Sequence, residues 1–107
     1  MENRFYAKAW NNGGDGFGLK LTEGDRDRFL RREWGNIVLH LPHADEPIVV
    51  NTNKASMWVG TCRELIHKEI GTWLKTSRRY PWKKGQPPRV MMEHIGDREF
   101  KVIGSPD

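Results

Sequence analysis

Six short runs of strand-forming residues arrive in three adjacent pairs along this 107-residue chain, and that pairing narrows the fold more than any other feature. The first pair is Arg4 to Trp10 and "FGLKL" (17–21). They are joined by "NNGGDG" (11–16), whose Gly and Asx residues tolerate positive φ. Gly18, inside the second run, suggests a bulge or a close backbone approach. The second pair is "NIVLHL" (36–41) and "PIVVNTN" (47–53) around "PHADE" (42–46). Pro42 and Pro47 sit at the strand ends, where a missing N–H does little harm. The third pair, "RVMMEHI" and "REFKVI", flanks Gly96-Asp97, a two-residue hairpin signal. "ASMWVG" (55–60) reads as a further short strand or an ordered loop. Strands joined by such short connections pair antiparallel.

Helices separate the pairs. Thr22 reads as an N-cap, with Glu23, Asp25 and Asp27 in the first turns and Arg28, Arg31 and Arg32 in the last, matching the helix dipole. Phe29 and Leu30 would point inward, and Gly35 would stop the chain. This sets a helix at about 22–33. Thr61 and Glu64 form a capping box. After it, at about 100° per residue, Cys62, Leu65, Ile66, Ile70, Trp73 and Leu74 gather on one side. Lys68, Lys75 and Arg79 fall on the other. The expectation is a second helix at about 61–78, ended by Pro81. The sum is an α+β domain spanning 1–107: a mostly antiparallel sheet or open pseudobarrel of about 6–7 strands with two helices.

A chain of this length buries roughly 60–70% of its unfolded surface, enough for a core without staples. Cys62 has no intrachain partner, so the expected setting is reducing and cytoplasmic. No apolar run approaches the ~18–20 residues that cross a bilayer, so no membrane partner is expected.

Few residues suggest chemistry. His40, His43 and Asp45 in "HLPHAD" have helical spacing on what reads as a strand and turn, without CxxC or HExxH; no metal or other cofactor is expected. Cys62 near a helix N-terminus would have a lowered thiol pKa, but its angular position places it among apolar residues, as a buried structural side chain. Asp25/Asp27 and Asp45/Glu46 suit capping and solvation better than acid–base work. "NNGGDGFG" lacks the phosphate-binding glycine patterns. No catalytic residue is nominated.

Charge is more informative. The net charge is +4, but residues 1–60 balance eight Lys/Arg against eight Asp/Glu, while residues 63–89 carry eight basic groups against Glu64 and Glu69. A basic helix face followed by cations around aromatics is the composition of a nucleic-acid contact surface, where cations meet phosphates and rings stack on bases. The nominated contacts are Lys68, Lys75, Arg78, Arg79, Lys83 and Lys84, with Trp82 or Tyr80 for stacking. Arg26, Arg28, Arg31 and Arg32 in "RDRFLRRE" join them, since guanidinium forks bind phosphate bidentately. The leading expectation is a small domain binding DNA or RNA. The alternative is a module for another protein or a small ligand, using exposed tryptophans among Trp10, Trp58 and Trp82.

"EIGTWLKTSRRYPWKKGQPPRVMMEHIGDREFKVI" (69–103) and "FGLKLTEGDRDRFL" (17–30) together resemble the DNA-binding pseudobarrel domains of plant transcription factors and some restriction-enzyme effector domains. The chain departs from that pattern at Gln86, where the family has an aspartate after the turn glycine. The resemblance implies an open barrel of about seven strands with helices at its ends. It also implies DNA contact through two arms, near Lys20–Arg32 and within 42–58. In "YPWKKGQPPRV" (80–90), Pro81, Gly85 and Pro87-Pro88 are explained by architecture, with Trp82 partly buried to hold the turn.

Overall fold

The computed structural model describes residues 3–104. Seven strands form one mixed sheet: β1 (Arg4–Asn11), β2 (Phe17–Lys20), β3 (Asn36–His40), β4 (Ile48–Asn51), β5 (Glu64–Ile66), β6 (Arg89–Gly96) and β7 (Glu99–Gly104). Their order is β4-β3-β7-β6-β1-β2-β5, and the edge strands β4 and β5 approach one another, so the sheet nearly closes into a barrel. All neighbours are antiparallel except β3 and β7. The three hairpins are those the paired runs predict. The last turn is Asp97-Arg98, one residue beyond Gly96-Asp97.

Every strand contributes a fully buried side chain to the interior: Ala7, Leu19, Leu39, Val50, Leu65, Met92 and Phe100. Each larger aliphatic contributes about 1.5–3 kcal/mol on burial. In β1 the alternation is complete from Arg4 to Ala9, with Phe5, Ala7 and Ala9 inside and Arg4, Tyr6 and Lys8 outside. Period-2 patterning in one strand therefore builds two surfaces at once.

Helices α1 (Glu23–Phe29) and α3 (Lys68–Thr76) close opposite ends of the barrel; α2 (Ala55–Trp58) is one short turn. Phe29 of α1 stacks on Phe5 at 4.5 Å, at the start of β1. Gly71 of α3 lies against Phe17, which is in register with Asn11 at the end of β1. Phe5 and Asn11 are six residues apart, about 20 Å of strand.

Both helices are shorter than the sequence implies. Thr22 caps α1 as expected, its Oγ1 accepting from the Asp25 amide at 3.1 Å. However, α1 ends at Phe29 because Leu30 turns extended to bury beside it, and a separate 3-10 turn (Arg32–Trp34) leads to Gly35 at φ 74°. The T-x-x-E box at Thr61 does not start a helix. Residues 64–66 pair instead with β2, Leu65 opposite Leu19, and give β2 its second neighbour. The N-cap of α3 is His67, whose Nδ1 accepts from the Glu69 amide. Only Ile70, Trp73 and Leu74 of the expected apolar stripe lie buried on that helix; Ile66 is exposed, and so is Cys62. The segment read as strand or loop at 55–60 contains α2. No helix among the described residues is long and apolar enough to cross a membrane.

Candidate functional site

The nominated cations divide between the two ends of the barrel. At the α1 end, Arg26 is not a surface cation. It is buried, donates from Nη1 to the carbonyls of Met57 (3.0 Å) and Trp58 (3.2 Å), and pairs through Nη2 with Asp27 at 2.9 Å. It is the tie between α1 and α2. Replacing it with methionine strands two carbonyls and is expected to cost about 2–4 kcal/mol, read as a lower melting temperature. Arg28 lies over the Phe29 ring at 5.1 Å. Arg28 and Arg31 border a hollow of about 220 Å³ shared with Asp27 and Asp97, so their charge is offset locally. Arg32 is exposed.

At the α3 end, Lys75 covers the Phe17 ring at 5.0 Å, and Arg79 covers Trp73 at 4.6 Å with its Nε buried. Lys68 is exposed on the first turn of α3 and Arg78 just beyond its end. Beside α3 a shallow cavity holds Asp45, Glu46 and Glu69, which dilutes the basic face. Tyr80 stands edge-on to Phe17 (4.9 Å) and Trp82 edge-on to Tyr80 (5.5 Å), both half-buried against the core, so Trp82 holds the turn as expected. Lys83 and Lys84 stay exposed on a tight turn closed by Gln86 N–H to Lys83 C=O, with Gly85 at φ 79° in the position that demands it.

Between these ends lies a larger feature. A groove of about 710 Å³ runs over the outer face of β1, where it meets β2 and β6. Among its lining residues five cations, Arg4, Lys8, Lys20, Arg63 and Arg89, stand against one carboxylate, Asp25. None of the residues nominated for nucleic-acid contact lines it, whereas Trp10, nominated for the alternative reading, does.

The sheet register sets the charge pattern. Arg89, Lys8 and Lys20 are directly opposite one another across β6, β1 and β2, three like charges in a row. Facing cations at about 5 Å between Cβ atoms destabilise a sheet. Among the described residues none of the three is in an ion pair. On β5 the residue opposite Lys20 is the buried Glu64, which forms no ion pair with it, and Arg63, one residue before, has its guanidinium fixed by the carbonyls of Leu21 (3.0 Å) and Gly60 (3.1 Å). Tyr6 and Trp10 flank Lys8 two residues to either side on β1. Arg89 lies over the Tyr6 ring at 4.7 Å.

Arg4, at one end of the groove, behaves differently because it has a partner. Glu93 meets Arg4 Nε at 3.4 Å and Lys101 Nζ at 3.5 Å. Desolvation pushes the Glu93 carboxyl up, but the bonds and charges of Arg4 and Lys101 together outweigh it and hold the pKa below 4.5. A depressed carboxylate stabilises the fold above its unfolded pKa and loses that contribution as pH falls through the folded value. Thermal melts of Glu93→Gln should therefore show a deficit against the parent at pH 7 that shrinks below pH 4.5.

Four of the five tryptophans are taken up by the core: Trp73 is buried, and Trp34, Trp58 and Trp82 pack against it. Trp10 is the one that lines the groove. His40 is bonded to Glu99 at 2.6 Å, and His43 is exposed at the hairpin tip. No group of three His, Cys, Asp or Glu that would hold a metal occurs among the described residues.

Sequence reasoning missed the groove because its five cations come from four segments, and three of the five, Arg4, Lys8 and Lys20, lie in the charge-balanced first 60 residues. The one local signal was the alternation Arg4, Tyr6, Lys8, Trp10. No family model matches the chain, and no curated protein or solved structure is significantly similar to it.

Proposed function

We propose that this domain binds nucleic acid, and that the groove over β1 is its phosphate-contacting surface. The observation that carries the reading is the row Arg89–Lys8–Lys20, like charges held face to face and in no ion pair among the described residues, with the buried Glu64 opposite Lys20 at the row's end. Such a row costs stability unless a polyanion neutralises it. Lys83 and Lys84, on the turn before Pro87 of the groove wall, are secondary contacts in this reading. The resemblance to pseudobarrel DNA-binding domains supports the same class. Of its two implied arms, Lys20–Arg32 lines the groove at Lys20, Leu21, Thr22 and Asp25, and 42–58 does not line it. The test is titration of labelled DNA and RNA at ~50 mM salt, with binding expected to weaken steeply as salt rises. Absence of binding to every form at that salt would sink the reading.

A second reading, a small-ligand module, draws on the groove's volume, which lies in the range of ligand pockets, and on Trp10 at its wall. Under it, a small anion such as a mononucleotide would bind with little salt dependence and no gain from longer oligomers.

A further inference from the structure

We propose that the groove takes an unpaired strand, its backbone crossing the sheet along the cation row and its bases stacking on Trp10 and Tyr6. This rests on the nucleic-acid reading and specifies the form bound. The row Arg89–Lys8–Lys20 crosses β6, β1 and β2 and ends at β5, where the buried Glu64 stands opposite Lys20 with Arg63 beside it. At about 4.8 Å per strand the three cations span about 10 Å, perpendicular to β1. Tyr6 and Trp10 lie on β1 about 6–7 Å to either side of that row.

Bases hanging from a backbone over the row therefore reach an aromatic ring on each side. Only an unpaired base offers its face; in a duplex the faces are taken up by the helix's own stack. The alternation of a cation line with aromatic platforms is the arrangement that suits single strands without sequence preference.

The two rings are available for this. Tyr6 is 38% exposed although Arg89 covers part of it. Trp10 is half-exposed, and the residue opposite it on β2 is Gly18, which has no side chain to cover the ring from that side. Thr22 and Asp25 at one wall and Pro87 at another bound the groove. That recess suits one strand entering edge-on.

The test is fluorescence anisotropy with labelled oligo(dT), oligo(U) and a duplex of the same length, at one salt concentration and then across a salt series. The single strands should bind at least tenfold tighter than the duplex. Trp10→Ala should weaken single-strand binding roughly 5- to 100-fold. It should leave the slope of log K against log salt unchanged, because no phosphate contact is lost. Trp10→Phe, which keeps a stacking face, should retain most of the affinity, and equal melting temperatures would exclude a folding defect. Lys8→Gln should instead flatten the slope by about 0.7. Duplex binding as tight as single-strand binding, with Trp10→Ala indifferent, would overturn this proposal and leave the nucleic-acid reading standing. No binding of any probe would overturn both.

Discussion

Replacing Lys8, Lys20 and Arg89 together by glutamine should lower affinity for nucleic acid at least about 100-fold while leaving the melting temperature unchanged or slightly higher. Three lost phosphate contacts remove charge-assisted bonds and flatten the salt dependence by about 2 units of slope. The stability side follows from register. Lys8 faces Lys20 on one side and Arg89 on the other, and each like-charged facing pair costs a few tenths of a kcal/mol. Glutamine keeps the aliphatic stem that packs along the sheet and removes the repulsion. A structural role for the three cations would give the opposite result, loss of stability with little change in binding. Affinity and melting temperature measured on the same preparation separate the two.

The second large effect concerns the fold that presents the groove. Gly18→Ala should cost about 2–4 kcal/mol, a drop of roughly 10–25 °C in melting temperature for a domain of this size. A Cβ at Gly18 would stand 2.5 Å from the Leu65 carbonyl oxygen and 3.1 Å from its carbon, both backbone atoms of β5. Neither can rotate aside, so β5 must be displaced and the β2–β5 pairing with it. Gly24→Ala is the natural control. It lies within α1 with nothing inside 4 Å of the added carbon, and should raise stability by about 0.5–1 kcal/mol. Differential scanning calorimetry of the two variants reads both signs in one experiment.

The fold was largely legible because hairpins are local. The turn residues between Trp10 and Phe17, between Leu41 and Ile48, and around Asp97 declare their pairs within a few positions. Gly18 also declared itself, as a close approach whose partner only the structure supplies. The 61–78 segment failed for a physical reason. Its apolar spacing fits a helix, yet β2 needs a neighbour beyond β1, and pairing Leu65 with Leu19 outweighs one more helical turn. Cys62 and Glu64 change environment with it: the cysteine becomes exposed and the glutamate buried. The parallel contact of β3 with β7 joins residues some 60 positions apart and has no local signal.

The site was less legible than the fold, and for the same reason. Charge counted along the chain pointed to 63–89, because cations there are neighbours in sequence. In space, Lys75 and Arg79 cover the rings of Phe17 and Trp73, and Arg26 at the other end is buried as a tie. The unpaired row is assembled from β1, β2 and β6, and only the register brings Lys8, Lys20 and Arg89 into line. Of the stretch 80–90, Pro87 and Arg89 reach the groove, while Tyr80 and Trp82 serve the core.

In the proposed complex the groove over β1, and neither helical end, meets the nucleic acid. Backbone amide chemical shifts followed by NMR during titration with an oligonucleotide test it most directly. Shifts are expected at Tyr6–Trp10, Lys20, Arg63 and Arg89, with Arg28–Arg32 and Lys68–Arg79 little changed. Shifts centred on α1 or α3, with β1 silent, would contradict it.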